Sequence, residues 1–461
     1  MYFLKKIKKP LIFLSVLSLA LELNIFQAAG SGIKLWMLAA IAGGLLLLWD
    51  LYKNGFAWLK QSKILWLGAG LILFSALGII NSPLKSYSFK QLIVLATIIV
   101  LGVFFEMNLK KYRRETYMGL LIGILISSIY AIYQNIAFDL GITNFEVMAA
   151  RPNAFFPEPD WLGMYFALGL VPFLVYVRTR RCPVRERDSA LACPEPVERF
   201  LQNKYFIYSL TLMGITALII TVARASWLAL IGEMGIILML CFYQACRNRT
   251  TVLFERGKSL FLQSGYFFSL IVVSLVLINI FHLSRFNIPD RFRSIFLREH
   301  IVTLAVKPET EEKIKINLEE KEAYRNQGYQ IQEEYADDEN VASREEKVIS
   351  TWDTIRKHPI LGNGLGITLI NTNYQHNANN LFLEWWASAG LGGLGLIVGL
   401  IVYLLGKGLL LFKDNPRRAA LVLAGTIGFI IVNLFNASIF LAFAWFFLAL
   451  MITSSNKAKF N

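Results

Sequence analysis

The sequence predicts an all-α, polytopic integral membrane protein with one large extramembrane loop late in the chain. Three observations carry that expectation. Of its 461 residues, 56% are hydrophobic and 13% aromatic, with a mean hydropathy of +0.51. The apolar residues fall in runs of membrane-crossing length, and the basic residues gather in alternate connections. A soluble chain of this size cannot hide so much apolar surface in one core, whereas runs of about 17 to 25 apolar residues match the hydrocarbon thickness of a bilayer.

About twelve spans follow, near residues 11–28, 33–52, 64–81, 89–107, 116–138, 161–177, 205–223, 227–246, 260–283, 380–405, 419–436 and 438–453. The first follows Lys5, Lys6, Lys8 and Lys9. No small-residue cleavage site follows it cleanly, so it reads as a retained helix rather than a secretory leader. Lys53, Lys60 and Lys63 follow the second span, Lys110, Lys111, Arg113 and Arg114 the fourth, and Arg178, Arg180 and Arg181 the sixth. Arg247, Arg249, Arg256 and Lys258 follow the eighth, and Lys407, Lys413, Arg417 and Arg418 the tenth. Basic connections mark the cytoplasmic side, which places both termini inside. The intervening short connections hold only isolated cations: Lys34, Lys85, Arg151 and Arg224. Three regions result: spans one to nine over 1–283, an outer loop over 284–378, and the last three spans over 379–461.

The net charge of +14 is accounted for by loops facing an anionic inner leaflet, so the expected partners are membrane lipids and not nucleic acid. Cys182, Cys193, Cys241 and Cys246 all fall on the cytoplasmic side and are expected as reduced thiols. Their spacings, without nearby histidines, do not support a metal site. The cytoplasmic stretch "RTRRCPVRERDSALACPEPVERF", 178–200, reads as a solvated connection. Its "ALACPEPVER" core resembles translated repetitive DNA that inserts into bacterial genes, which would make residues 186–198 dispensable.

The outer loop is roughly 95 residues long, far beyond an ordinary connection, and loops of that length commonly carry function. Its middle, "KPETEEKIKINLEEKEAYRNQGYQIQEEYADDEN", is highly charged and reads as a water-facing or mobile segment. Its ends read as amphipathic helices at the membrane surface: "RFNIPDRFRSIFLRE", and "SREEKVISTWDTIRK" with Val348, Trp352 and Ile355 on one helical face. The following "HPILGNGLG" is a helix stop that turns the chain toward the next span.

Three polar clusters sit at outer helix ends: "AARPNAFFPEPDWLG", "TVARASWLAL" and "NYQHNANNLFLEWW". Arg224 lies between two apolar helices, where an unsolvated cation costs on the order of a few kcal/mol. It is either a snorkelling residue or an anion clamp, since a guanidinium grips phosphate oxygens through a rigid fork of donors. Arg291, Arg293 and Arg344 on the loop would add to such a site, with Arg151 on the neighbouring connection. His376 is the histidine of this mouth; His282 is expected to be buried at a span end, and His300 and His358 belong to the loop. An imidazole can take a proton from a sugar hydroxyl near neutral pH. Asn373, Asn377, Asn379 and Asn380 suit a hydroxyl-rich ligand or the cap of the next helix. Asp160 reads as an N-cap, and Glu158, held between two prolines, as a ligand-facing carboxylate.

These residues resemble the O-antigen ligase and O-antigen polymerase superfamily of membrane glycosyltransferases. The likeness rests on "ARASWLAL", on "SREEKVISTWDTIRKHPILGNGLG", on "HNANNLFLEWWASAGLGGLGL", and on their order over residues 150 to 400. One departure stands out: counting back from Gly390 to the family's histidine position reaches Asn379 and Asn380, with His376 upstream. The resemblance implies a glycosyltransferase C-like architecture in a bacterial inner (cytoplasmic) membrane. It also implies a metal-independent, inverting transfer, with no cofactor, from an undecaprenyl-pyrophosphate-linked glycan to lipid A core or a growing polysaccharide. On that reading His376 and Arg224 are catalytic, and Arg291, Arg344, Asn377, Asn380, Glu158 and Arg151 bind substrate. A multi-span transporter would also explain the spans, but no repeat relates 1–230 to 231–461. A non-catalytic scaffold would explain the aromatic helices alone.

Overall fold

The computed structural model describes residues 2–22, 24–28, 31–142, 148, 151–179, 204–247, 253–284, 286–297, 299–307, 313–316, 321–337, 339–368 and 378–456. The 186–198 stretch, His376 and Asn377 lie outside them.

The chain opens with α1 (Tyr2–Ser18), a hairpin of β1 (Asn24–Ala28) and β2 (Ser31–Lys34), α2 (Leu35–Asn54) and a single turn, α3 (Phe56–Leu59). Then come α4 (Lys63–Ile79), α5 (Lys85–Leu109), α6 (Arg113–Asp139), α7 (Pro159–Thr179), α8 (Lys204–Ile220), α9 (Arg224–Arg247) and α10 (Leu253–Ile280). Six described helices are long and apolar enough to cross a membrane, and five shorter apolar helices stand where further spans were expected. The first expected span needs correction. The helix stops at Ser18, and residues 24–28 form a strand. Beyond that end, the buried Glu22 carboxylate pairs with Lys34 at the end of β2.

The centre of the bundle is α15 (Pro416–Leu434), which packs against α7, α9 and α14 (Leu381–Asp414). Its Ala420, Ala424 and Gly428, four apart, are buried and let neighbouring backbones approach closely. At Gly428 there is no room for a side chain, because the buried Glu233 carboxyl of α9 fills the space. The last helix, α16 (Ala442–Ser455), packs on α5, with Phe446 edge-on to Phe105 at 5.0 Å. At the start of α4, the Glu106 carboxylate accepts from Ser62 Oγ at 2.6 Å and from the Lys63 and Ile64 amides at 3.0 and 2.9 Å. Those donors would otherwise be orphaned at a helix N-terminus.

The outer loop is more ordered than its composition suggests. After α11 (Ile288–Leu297), the strands β3 (Glu299–Val306), β4 (Lys313–Ile316) and β5 (Gln330–Asp337) form an antiparallel sheet in the order β4-β3-β5, with α12 (Lys321–Asn326) before β5. The charged middle of the loop, read as water-facing or mobile, therefore supplies two strands, which add a small sheet to the expected all-α fold. Helix α13 (Glu339–Lys357) follows and packs against α14.

The "HPILGNGLG" turn does more than end α13. Within α14, Gly390 leaves helical geometry at φ 64° and ψ −164°, and the turn fills the break. The Leu391 amide donates to Pro359 O at 3.1 Å, the Asn363 amide to Ala387 O at 2.8 Å, and the Gly364 amide to Ser388 O at 3.0 Å. The Asn363 side chain ties both helices, donating to Thr354 O at 3.0 Å and Ala387 O at 3.2 Å. Broken helix backbone in an apolar setting requires such partners.

Candidate functional site

The connection before α7 is a rigid shelf. Gln134 Oε1 of α6 accepts from the Asn153 and Ala154 amides at 3.1 and 2.6 Å, and Asn153 Nδ2 donates to Phe156 O at 2.6 Å. Pro159 then opens α7, as suits a residue whose fixed φ matches the first helical position. Asp160 is consequently inside the helix and not its N-cap. Its carboxylate instead accepts from Arg151 Nη2 at 2.7 Å. Arg151 Nε donates to Thr221 O at 3.1 Å, which ties the shelf to the turn between α8 and α9. Gly163 permits that docking, since a Cβ there would lie 2.7 Å from both Ala223 Cβ and Ser226 Oγ. Arg224, half-buried, begins α9 three residues beyond Thr221.

Helix α13 closes the other side. Its less exposed face carries Arg344, Lys347, Thr351, Thr354 and Ile355, at helical spacing. Arg344 Nη2 stands 3.9 Å from Asp160 Oδ2, so one carboxylate is shared by guanidiniums from two segments far apart in sequence. Beside it Lys347 faces Glu158. Desolvation and then the Asp160 charge raise the Glu158 carboxyl above its ordinary range, against the opposing pull of Lys347 and Arg151. Desolvation and then Arg344 lower the Lys347 ammonium, against Glu158 and Glu346. The result is a compact cluster of three cations and two carboxylates.

The face of α13 that carries Val348, Trp352 and Ile355 is mixed in its burial. Ile355 is buried, but Val348 and Trp352 are 39% and 38% exposed, and the Trp352 ring meets Trp386 edge-on at 5.3 Å. Arg291 lies on α11, with its guanidinium 4.7 Å from the Phe286 ring centre, and α11 touches α9. Asn380 is the N-cap of α14: Oδ1 accepts from the Phe382 and Leu383 amides at 3.0 and 3.1 Å, while Nδ2 donates to Leu434 O at 3.1 Å. Asn379 precedes it with a positive φ of 51°, which asparagine tolerates better than most residues. His282 is exposed at a positive φ of 49°, not buried as expected, because the chain turns out of α10 there. Lys347 escaped the sequence reading, although its place three residues after Arg344 in "REEK" put both on one helical face.

The helices that hold Arg224, Arg344 and Asn380 share one further property. Residues 209–398 match the family model for O-antigen ligase. This part of the chain is similar to that family. No curated protein matches the chain. The matched segment runs from α8 into α14, enclosing Arg224, Arg291, Arg344, Lys347 and the His376 stretch. Arg151, Glu158 and Asp160 lie before it and reach it through Thr221 and Arg344. Together with the six described helices long and apolar enough to cross a membrane, that likeness fits a multi-pass membrane protein.

Proposed function

We propose that this protein transfers a glycan from an undecaprenyl-pyrophosphate carrier to an acceptor hydroxyl, on lipid A core or on a growing polysaccharide, at the outer face of the inner membrane. On this reading the basic connections lie in the cytoplasm and the cation cluster faces the other side. The observation that carries the reading is the bridge from Arg151 through Asp160 to Arg344, with Lys347 beside it, inside and against the matched segment. Converging guanidinium and ammonium groups match a pyrophosphate.

In this mechanism the acceptor oxygen attacks the sugar's anomeric carbon from the face opposite the carrier, and the anomeric configuration inverts. The bond from that carbon to the pyrophosphate oxygen breaks, with its electron pair leaving on the pyrophosphate. Arg224, Arg344 and Lys347 offset the charge developing there, and Arg151 and Arg291 hold the outer phosphate. His376 takes the hydroxyl proton, and Asn377 and Glu158 bind sugar hydroxyls. The bond energy already resides in the donor, so no metal or cofactor is required and a chelator leaves transfer unchanged.

The test is the size of glycans left on the carrier in cells lacking the protein, with wild type and Arg344→Ala supplied in turn. Single repeats accumulate if the protein is a polymerase, and long chains if it is a ligase. Arg344→Ala should restore transfer at about a hundredth of the wild-type rate, the scale of losing one charge-stabilising donor. An unchanged carrier pool would remove the glycosyl-transfer reading.

A further inference from the structure

A second basic cluster lies at the far end of α14 from Asn380, where α4, α14, α15 and α16 come together. Lys63 opens α4. Its ammonium donates to the Tyr403 hydroxyl of α14 and, at 2.8 Å, to Oδ1 of Asn456, the residue that follows α16. The same ammonium lies 4.3 Å from the centre of the Tyr403 ring, and Lys407, one turn further along α14, brings its own to 5.8 Å from that centre. Arg418, in the first turn of α15, donates from Nη1 to Asn456 O at 3.4 Å. Asn415 fixes that turn, its Oδ1 accepting from the Arg418 amide at 3.1 Å. All three cations are half-buried.

Their partners are neutral oxygens and an aromatic face. Among the described residues none of the three forms an ion pair. Glu106, which touches Lys63, is turned to the backbone: its carboxylate accepts from the Ser62 hydroxyl and from the Lys63 and Ile64 amides. Like charges gathered around one ring and one asparagine repel each other. Snorkelling alone would send such long side chains apart into water, whereas Tyr403 and Asn456 hold these together. Two ammoniums and a guanidinium fork are the donors that a phosphate takes.

The flanks of the cluster select the source of that phosphate. Trp66, one turn into α4, and Val402 and Leu409, beside Tyr403 and Lys407 on α14, are exposed and apolar. Basic connections mark the cytoplasmic side, where the leaflet is rich in anionic lipid. We propose that Lys63, Lys407 and Arg418 form a binding site for the headgroup phosphate of an anionic phospholipid of the cytoplasmic leaflet, with its acyl chains lying along the exposed apolar side chains of α4 and α14. A free phosphate would make no use of those flanks.

The test uses the full-length protein in neutral detergent, titrated with dioleoyl phosphatidylglycerol or with dioleoyl phosphatidylcholine, which has the same chains and no net charge. Binding to the folded protein alone raises its unfolding temperature in a saturable way. We expect that rise with phosphatidylglycerol and not with phosphatidylcholine. Lys63→Gln with Lys407→Gln should raise the half-saturating concentration about tenfold or more, the scale of losing two basic residues at an anionic surface. Lys110→Gln with Lys111→Gln removes the same charge from exposed positions on another basic connection and should leave it unchanged. If the first pair fails to fold, a photoreactive phosphatidylglycerol decides on the wild-type protein: cross-links should concentrate in residues 60–66 and 403–418. Equal half-saturation in both pairs, an equal rise with phosphatidylcholine, or cross-links spread evenly over the basic connections would overturn the site. A rise reproduced by inorganic phosphate at the same concentration would overturn its assignment to a lipid.

Discussion

Arg344 and Lys347 occupy successive turns of one helix face, yet they differ in what pH can do to them. A guanidinium stays charged throughout the accessible range, whereas a lysine shifts readily when desolvated. Lys347 is held below its ordinary value, so it sheds its proton at lower pH than a free lysine would. If it grips the donor's pyrophosphate, donor KM rises as pH climbs through that lowered value. In Lys347→Arg the rise should move to higher pH, measured as donor KM against pH; an identical alkaline limb in both proteins would remove Lys347 from the site. Arg224 was conspicuous in the sequence because it is a cation between two apolar helices. The Lys347–Glu158 relation was not, because it joins the shelf before α7 to a loop helix far along the chain. Glu384, fully buried where the Thr368 hydroxyl, the Ala378 amide and the Ser388 hydroxyl meet its carboxylate, was hidden for a different reason. Its neighbours are tryptophan, leucine and alanine, and nothing local signals that three donors converge on it.

Among the elements, the break in α14 is where membrane helix and outer loop become one unit. Gly390 adopts a conformation open essentially to glycine alone, and a Cβ there would lie 2.0 Å from Ile360 O. Gly390→Ala should therefore expel the 359–364 turn and release α13 with Arg344 and Lys347. The expected outcome is at least a tenfold loss of transfer with the protein still inserted, and new protease cleavage between residues 357 and 366. The sequence announced a turn here through its proline and glycines, but not that the turn would plug a helix. A comparable limit hid the sheet. "HIVTLAV", "KIKI" and "QIQEEY" alternate or carry β-branched residues as strands do, but interspersed charges made the composition look unstructured. Their pairing is long-range and leaves little trace in any one segment.

For the whole molecule, apolar run length and charge placement are sums over many residues, which is why the helical bundle was readable at most positions. The first helix is the exception, since it ends at Ser18 and a short hairpin over residues 24–34 follows. The same scale exposes a consequence of the shared carboxylate at Asp160. Two guanidiniums that already hold a resident anion do not gain a ligand when a pyrophosphate arrives; they trade one. With the proposed donor, entry is then an exchange and departure of the spent carrier its reversal, with Asp160 placed to take back the vacated donors. Asp160→Asn should weaken that return. The spent carrier, undecaprenyl pyrophosphate, should inhibit the variant several-fold more strongly than wild type, and turnover should become limited by its departure. Asp160 would then act as an internal competitor that keeps a highly charged product from remaining where it was made.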